Sequence, residues 1–81
     1  MSARVLLVDD HPLMRDGLRL LIDGQPDMKV VGAAGDGDTG VAAAIELSPD
    51  VVMMDIELPG ENGIAVSRRL LERCPSSRVI I

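Results

Sequence analysis

Three aspartates stand directly after apolar runs, where their carboxylates could do chemistry together. Asp9 and Asp10 follow the apolar run 5–8, and Asp55 follows the apolar run 51–54. Like charges at the edge of an apolar core repel one another, so some of these acids would lose their charge unless a cation were bound. Carboxylate oxygens favour Mg²⁺, which commonly uses one or two protein carboxylates and keeps several waters. The three acids therefore predict a magnesium site.

A metal held by two acids leaves the third acid for another task. A carboxylate can attack phosphorus and form an aspartyl phosphate, and a metal would neutralise the charge on the phosphoryl oxygens. Asp55 is the predicted nucleophile because it joins a rigid apolar run to an open loop containing proline and glycine. Asp9 and Asp10 are consecutive, which suits them to hold the metal jointly.

The elements that must position these acids follow from the hydrophobic pattern. This pattern gives the order βαβαβαβ, which predicts a parallel sheet with helices on its faces. In a strand order of 2-1-3-4, strands 1 and 3 are neighbours and flank the point where ligands bind in such sheets. The three acids should therefore meet at one sheet edge. The predicted strands are 4–8, 28–34, 50–55 and 78–81, the predicted helices start at Pro12, Thr39 and Ile64, and 56–63 is a predicted loop.

Apolar and small residues at helical spacing predict which face of each helix packs on the sheet. These residues are Met14, Leu18, Leu21 and Ile22 in the first helix, Val41, Ala44, Ile45 and Ser48 in the second, and Ile64, Ser67, Leu70 and Leu71 in the third.

The composition narrows the functional classes. A length of 81 residues suits one small domain. The chain has no aromatic residue, so nucleic-acid bases cannot stack on aromatic side chains. Its net charge of -5 argues against sequence-independent binding to DNA. The single cysteine excludes an intramolecular disulfide. With no signal peptide pattern and no apolar stretch of about 20 residues, we expect a cytoplasmic protein without a membrane partner.

Several segments together resemble the receiver domain of bacterial two-component response regulators. They are LLVDDHPLMRDGLRLLI, GDGDTG, PDVVMMDIELPGENG and the terminal VII, and they cover essentially the whole chain. The pair DD followed by His-Pro is similar to the NarL/FixJ branch, in which a LuxR-type DNA-binding output domain follows the receiver. The resemblance implies a flavodoxin-like (CheY-like) doubly wound α/β fold. Residues 1–81 are then interpreted as the N-terminal part of a single receiver domain, lacking the final helix-strand-helix and the output domain.

The resemblance also implies roles for individual residues. Asp55 would accept a phosphoryl group from a sensor histidine kinase, with Mg²⁺ as cofactor. Asp10 would ligate the metal directly, Asp9 largely through water, and Glu57 through its backbone carbonyl. Receivers complete their switch with a Ser or Thr after strand 4 and a Lys after strand 5, and both positions would follow Ile81. Such a phosphoacceptor is not an enzyme, because its phosphotransfer is self-directed, and it would reach DNA only through the output domain.

Two other functional classes stay open. A Mg²⁺-dependent phosphohydrolase also uses an aspartyl nucleophile, although such enzymes usually carry D-x-D where this chain has D-D. Alternatively, the chain is a truncated interaction module that forms homo-oligomers through the open edge of strand 4. An exposed apolar edge is a template for strand pairing, and exchange of identical elements between copies gives domain-swapped dimers.

Two motifs allow less specific interpretations. The segment GDGDTG (35–40) matches a dinucleotide-binding fingerprint, but Asp36 and Asp38 would face the pyrophosphate, and the motif follows the second strand. A loop in which Asp38 or Thr39 caps the second helix is the alternative. His11 is interpreted as a half-exposed loop residue beside acids, rather than as a ligand or phosphate carrier.

Overall fold

The structure is a computed structural model that describes residues 2–81. Within this part of the chain, no helix is both long and apolar enough to cross a bilayer. The helices are α1 (Pro12–Asp23), α2 (Gly37–Leu47) and α3 (Gly63–Arg73). The strands are β1 (Ala3–Val8), β2 (Met28–Ala34), β3 (Val51–Met54), β4 (Glu57–Leu58), β5 (Glu61–Asn62) and β6 (Arg78–Ile80).

Four parallel strands form the sheet, in the order β2-β1-β3-β6. This confirms the predicted order 2-1-3-4, with β6 as the fourth strand of the sheet. Val8 at the end of β1 pairs with Ala34 of β2 and with Met54 of β3. The carboxyl ends of these three strands therefore reach the same sheet edge. Strands β4 and β5 form a separate antiparallel hairpin inside the segment predicted to be a loop.

Strand β1 is buried on both faces of the sheet. Leu6 and Val8 pack into a core with residues of α2 and α3. Val5 and Leu7 point to the opposite face, where they pack with Ile22 of α1. Because side chains alternate between the two faces, a strand covered on both sides has apolar residues at every position. This explains the uninterrupted apolar run that precedes the two aspartates.

The packing face of α1 differs from the prediction. Ile22 is buried and Leu18 is half-buried, as expected, but Met14 is 55% exposed and Leu21 is 69% exposed. The helix packs toward β2, where Ile22 joins Val30 in the core of that face. Among the described residues α1 is the only helix on that face, so its apolar residues directed away from β2 have no neighbouring helix to cover them.

The packing faces of the other two helices agree with the prediction only in part, since Ser67, Leu70 and Ala44 are buried as expected. In α3, Val66 is buried as well, whereas Ile64 is 52% exposed and Leu71 is 39% exposed. The buried set begins at Gly63, which the sequence pattern placed in the loop. Helix α2 likewise buries Gly37, Gly40 and Ala44, while Val41 is half-buried, Ile45 is exposed and Ser48 is the exposed C-cap. In α2, small residues face the sheet because they allow a close approach, and Gly40 lies against Val8 of β1.

Candidate functional site

The sheet places Asp9 and Asp55 side by side. Each acid directly follows one of two paired residues, Val8 of β1 and Met54 of β3. The Asp55 N–H donates to the Val8 carbonyl at 2.9 Å, and the Asp9 N–H donates to the Ala34 carbonyl at 3.0 Å. The backbones of both acids are thus fixed by the sheet ladder. The predicted meeting of acids 45 residues or more apart in the sequence arises from this strand pairing.

Four side chains converge at this edge of the sheet. One ligand atom from each of Asp9, Asp10, His11 and Asp55 lies within 4.8 Å of the other three. His11 Nδ1 is 2.9 Å from Asp9 Oδ1, 3.0 Å from Asp10 Oδ1 and 3.6 Å from Asp55 Oδ2. The structure therefore brings together the three acids that the sequence predicted and adds His11. We call these four residues the acidic cluster.

The carboxylates of the acidic cluster are more sheltered than the histidine. The side chains of Asp9, Asp10 and Asp55 are 13%, 30% and 25% exposed, whereas that of His11 is 64% exposed. The imidazole thus covers the solvent side of the carboxylates. The hydrogen bond to Asp9 raises the pKa of His11 above its ordinary value of 6.5, and the negative charge of Asp10 raises this pKa further.

One oxygen of the acidic cluster lacks a partner. Asp10 Oδ1 is buried and makes no hydrogen bond, although His11 Nδ1 lies only 3.0 Å away. A buried, unpaired carboxylate oxygen is costly because it has lost its hydration without gaining a donor. A hard divalent cation would satisfy it, since carboxylate oxygens are the preferred ligands of such ions. The residues present therefore fit a divalent metal ion.

The segment after Asp55 orients its carboxylate. The Glu57 N–H donates to Asp55 Oδ1 at 3.2 Å, while Oδ2 is the oxygen nearer to His11. Glu57 begins the β4–β5 hairpin and is exposed. Its side chain is outside the acidic cluster, and the role predicted for its backbone carbonyl stays a prediction.

Arg15 is a neighbour of the site that the sequence pattern did not indicate. Its Nη1 donates to the Asp9 carbonyl oxygen at 3.1 Å from the first turn of α1. The Arg15 N–H donates to the His11 carbonyl at 3.0 Å, so both residues belong to the same helical turn. In the sequence, the only sign of this role is that Arg15 lies about one helical turn after the acid pair, a position that many surface arginines share.

The GDGDTG segment has a structural role in this fold. Asp36 is the N-cap of α2, and its Oδ1 accepts hydrogen bonds from the Thr39 N–H at 2.8 Å and the Thr39 hydroxyl at 2.9 Å. The cap is therefore Asp36, and the predicted Asp38 or Thr39 was wrong because α2 begins two residues earlier. Arg69 of α3 forms ion pairs with Asp38 at 3.0 Å and Glu61 at 2.7 Å. With an acid already at the helix N-terminus, this segment is poorly suited to a pyrophosphate.

Comparison with known proteins agrees with this geometry. The family model described as the response regulator receiver domain matches residues 5–81. The nitrate/nitrite response regulator NarL of Escherichia coli is 40% identical over 79 residues, which are 98% of this chain and 37% of that protein. A protein-glutamate methylesterase/protein-glutamine glutaminase of Thermotoga maritima is 50% identical over 78 residues, 96% of this chain and 23% of that protein.

A solved structure shows the same similarity in three dimensions. A LuxR-family two-component response regulator from Aurantimonas has a TM-score of 0.91 and 39% identity, covering 98% of this chain and 56% of that chain. The chain thus spans only part of the length of the proteins that it matches. The strand order, the acids at the carboxyl ends of β1 and β3 and these similarities show that the chain belongs to the response regulator receiver domain family.

Proposed function

We propose that this chain is the phosphoacceptor part of a two-component response regulator and that Asp55 receives the phosphoryl group. The observation that carries the proposal is the convergence of Asp9, Asp10 and Asp55 at the ends of neighbouring parallel strands. Receiver domains of response regulators interact with histidine kinases, and we propose the phosphohistidine of such a kinase as the donor.

The position of Asp55 suits a nucleophile. One carboxylate oxygen accepts a hydrogen bond from the Glu57 N–H, and the other faces the His11 ring. In the proposed reaction, an Asp55 oxygen attacks the phosphorus of the phosphohistidine and the phosphorus–nitrogen bond breaks. The kinase imidazole leaves with the electron pair of that bond and takes up a proton. The product is an acyl phosphate on Asp55.

Asp9, Asp10 and Asp55 would hold Mg²⁺, with the backbone carbonyl of Glu57 as a further ligand. The buried Asp10 Oδ1 without a hydrogen bond supports this assignment. When bound, the ion would neutralise negative charge on the phosphoryl oxygens. The chain's own contribution is to fix the two strand ends, so that the Asp55 carboxylate is presented from a rigid backbone.

The output activity is proposed to lie outside the region shared with the relatives. One relative is named as a response regulator and the other as a methylesterase, yet each matches this chain over a minor part of its own length. A segment shared by proteins whose other regions have different activities is expected to receive the signal and not to carry out the final activity. We therefore propose a cytoplasmic, non-enzymatic module that would control DNA through a separate LuxR-type output domain. Sustained hydrolysis of a phosphate ester would instead favour the aspartyl phosphohydrolase.

The exposed edge of β6 supports a second proposal, that copies of the chain associate with one another. Within residues 2–81, strand β6 pairs with β3 and with no other strand. Ile80 is 55% exposed and Ile81 is 57% exposed beside this edge. Unpaired backbone groups next to apolar side chains are a template for strand addition, so we propose homo-oligomers formed through β6. Light scattering should show a mass that rises with concentration, and a stable monomer at high concentration would contradict this proposal.

Acetyl phosphate provides a direct test of phosphorylation. Incubation with acetyl phosphate and Mg²⁺ should add one phosphoryl group to the intact protein, and tryptic mapping should place this group on Asp55. Treatment with hydroxylamine should remove the label, because an acyl phosphate is cleaved by this nucleophile. Asp55→Asn should abolish labelling, whereas Asp16→Asn, an exposed acid on α1, should not. An unlabelled protein, or labelling that persists in Asp55→Asn, would contradict the proposal.

A further inference from the structure

We propose that the His11 side chain occupies the cation position of the acidic cluster and is displaced from it when Mg²⁺ binds. The inference rests on the proposed function, because it takes the three acids as a cation site. It adds a residue that competes with the metal and so sets the metal affinity of this chain.

The first support is the position of the ring. Nδ1 lies 2.9 Å from Asp9 Oδ1, 3.0 Å from Asp10 Oδ1 and 3.6 Å from Asp55 Oδ2. A single nitrogen thus faces oxygens of all three carboxylates. Carboxylate oxygens only accept hydrogen bonds, so Nδ1 acts as a donor to Asp9. The ring fills the space between the oxygens that a cation would have to contact.

The second support is that ring and ion exclude each other. A Mg²⁺ ligand oxygen lies about 2.0–2.1 Å from the ion, and the ion also retains several waters. The same oxygens now face Nδ1, and the ion with its waters needs the space that the imidazole fills. Mg²⁺ prefers oxygen ligands, whereas imidazole suits ions such as Zn²⁺ and Ni²⁺. We therefore expect Mg²⁺ to expel the ring and not to recruit it as a ligand.

The third support is that little holds the ring in place. His11 is 64% exposed at its side chain and is the N-cap residue of α1, yet its side chain makes no capping hydrogen bond to the helix. Rotation about its side-chain bonds would carry the ring into solvent without moving the backbone. The ring also leaves Asp10 Oδ1 without a hydrogen bond. Its departure would cost the side-chain hydrogen bond to Asp9 and the attraction of a charged ring to the neighbouring carboxylates, which is weak at an exposed position.

The consequence is a measurable competition. Removing the ring should remove the cost of displacing it, so His11→Ala should bind Mg²⁺ about three- to tenfold more tightly than the wild type, the range expected for losing one ordinary hydrogen bond at an exposed position. Asp10→Asn should weaken Mg²⁺ binding both in the wild type and in His11→Ala. This variant therefore distinguishes loss of a metal ligand, which weakens binding, from loss of the competing ring, which strengthens it.

The experiment is a Mg²⁺ titration at one fixed pH and constant ionic strength, followed by NMR. His11 is the only histidine in the chain, so its ring gives one set of signals. In the wild type, the ring signals should move toward those of a solvated imidazole with the same midpoint as the amide of Asp55. Constant ionic strength ensures that salt screening of the carboxylate charges does not release the His11 ring and imitate its displacement by Mg²⁺.

Each outcome is decisive. Tighter binding by His11→Ala together with movement of the wild-type ring supports the inference. Equal affinities, or a ring that does not respond while the Asp55 amide does, overturn the inference and leave the metal site standing. Weaker binding by His11→Ala would make the imidazole a ligand and also overturn it. No Mg²⁺ binding by either protein would remove both the proposed metal site and the inference, while labelling of Asp55 by acetyl phosphate still tests the phosphoacceptor role separately.

Discussion

The backbone of Gly63 lies against the carbonyl oxygen of Asp55, so closely that a β-carbon at position 63 would overlap that oxygen. The Gly63 N–H also donates to the Ile56 carbonyl at 2.7 Å. The start of α3 is thereby fixed to the segment that leaves β3. This contact explains the glycine at the end of the segment DIELPGENG (55–63). Gly60 in the same segment has a φ of 71°, in the left-handed region that favours glycine.

We therefore expect Gly63→Ala to destabilise the protein. The added methyl group can be accommodated only by shifting the backbone at Asp55, which should lower the free energy of unfolding by about 1–3 kcal/mol. Urea unfolding followed by circular dichroism measures this change. Away from the substituted residue and its sequence neighbours, an NMR spectrum of the folded variant should show its largest shifts at residues 55–57.

Gly17→Ala is the matched control for this glycine substitution. Gly17 lies inside α1, and a β-carbon there would meet nothing within 4 Å. Alanine is favoured over glycine in a helix by about 1 kcal/mol, so this variant should be more stable than the wild type. Equal effects of the two substitutions would contradict the close contact between Gly63 and Asp55.

The observed packing face of α3 predicts unequal effects of truncation. Leu70 is 0% exposed, so Leu70→Ala should lower the free energy of unfolding by about 2–5 kcal/mol. Ile64 is 52% exposed, and Ile64→Ala should change stability by about 0.5 kcal/mol or less. Chemical denaturation of both variants provides the comparison. The helix face predicted from the sequence contained both residues, so comparable losses for the two variants would support that face over the observed one.

A buried hydroxyl ties the start of β6 to the start of β3. Ser77 Oγ donates to the Pro49 carbonyl at 2.6 Å, and Ser77 is 7% exposed. Ser77→Ala leaves this acceptor unpaired and should cost about 1–3 kcal/mol in stability. The neighbouring Ser76 is exposed, so Ser76→Ala should have little effect on the same urea transition. Indistinguishable transitions for the two variants would argue against the bond.

The N-cap of α2 should produce a pH-dependent contribution to stability. Hydrogen bonds from the backbone N–H and the hydroxyl of Thr39 hold the pKa of Asp36 below its ordinary value of 3.8. A carboxyl whose pKa is lower in the folded state stabilises the protein above the unfolded-state pKa, and this stabilisation is lost as the pH falls through the folded-state pKa. Carbon-13 NMR of the Asp36 carboxyl should give a midpoint below 3.8. A midpoint at or above that value would contradict the cap.

The position of the acidic site was predictable because strand order alone brings its residues together. Asp9 and Asp55 follow apolar runs that must be parallel strands, and the sheet ladder then fixes both backbones. The packing faces were less predictable. Ile64 and Leu71 fit a helical stripe as well as Val66 does, and a hydrophobic pattern carries no sign of the close packing of Gly63 on the Asp55 carbonyl at the start of α3.

The roles of His11 and Asp36 could not be predicted for a different reason. Both depend on side-chain hydrogen bonds to neighbours two or three residues away, which any polar loop residue can form. The sequence placed His11 beside the acids but gave no sign that one nitrogen would face all three carboxylates. The β4–β5 hairpin is only two residues per strand and has no apolar alternation that would indicate strands.

The most direct test of the central claim is a Mg²⁺ titration that follows backbone amide shifts in the wild type, Asp10→Asn and Asp16→Asn. The last variant makes the same chemical change at an exposed position of α1. We predict saturable shifts around Asp9 and Asp55 in the wild type and in Asp16→Asn, and a strongly weakened response in Asp10→Asn. Identical responses of the wild type and Asp10→Asn around Asp9 and Asp55 would contradict the claim that the three acids hold one cation.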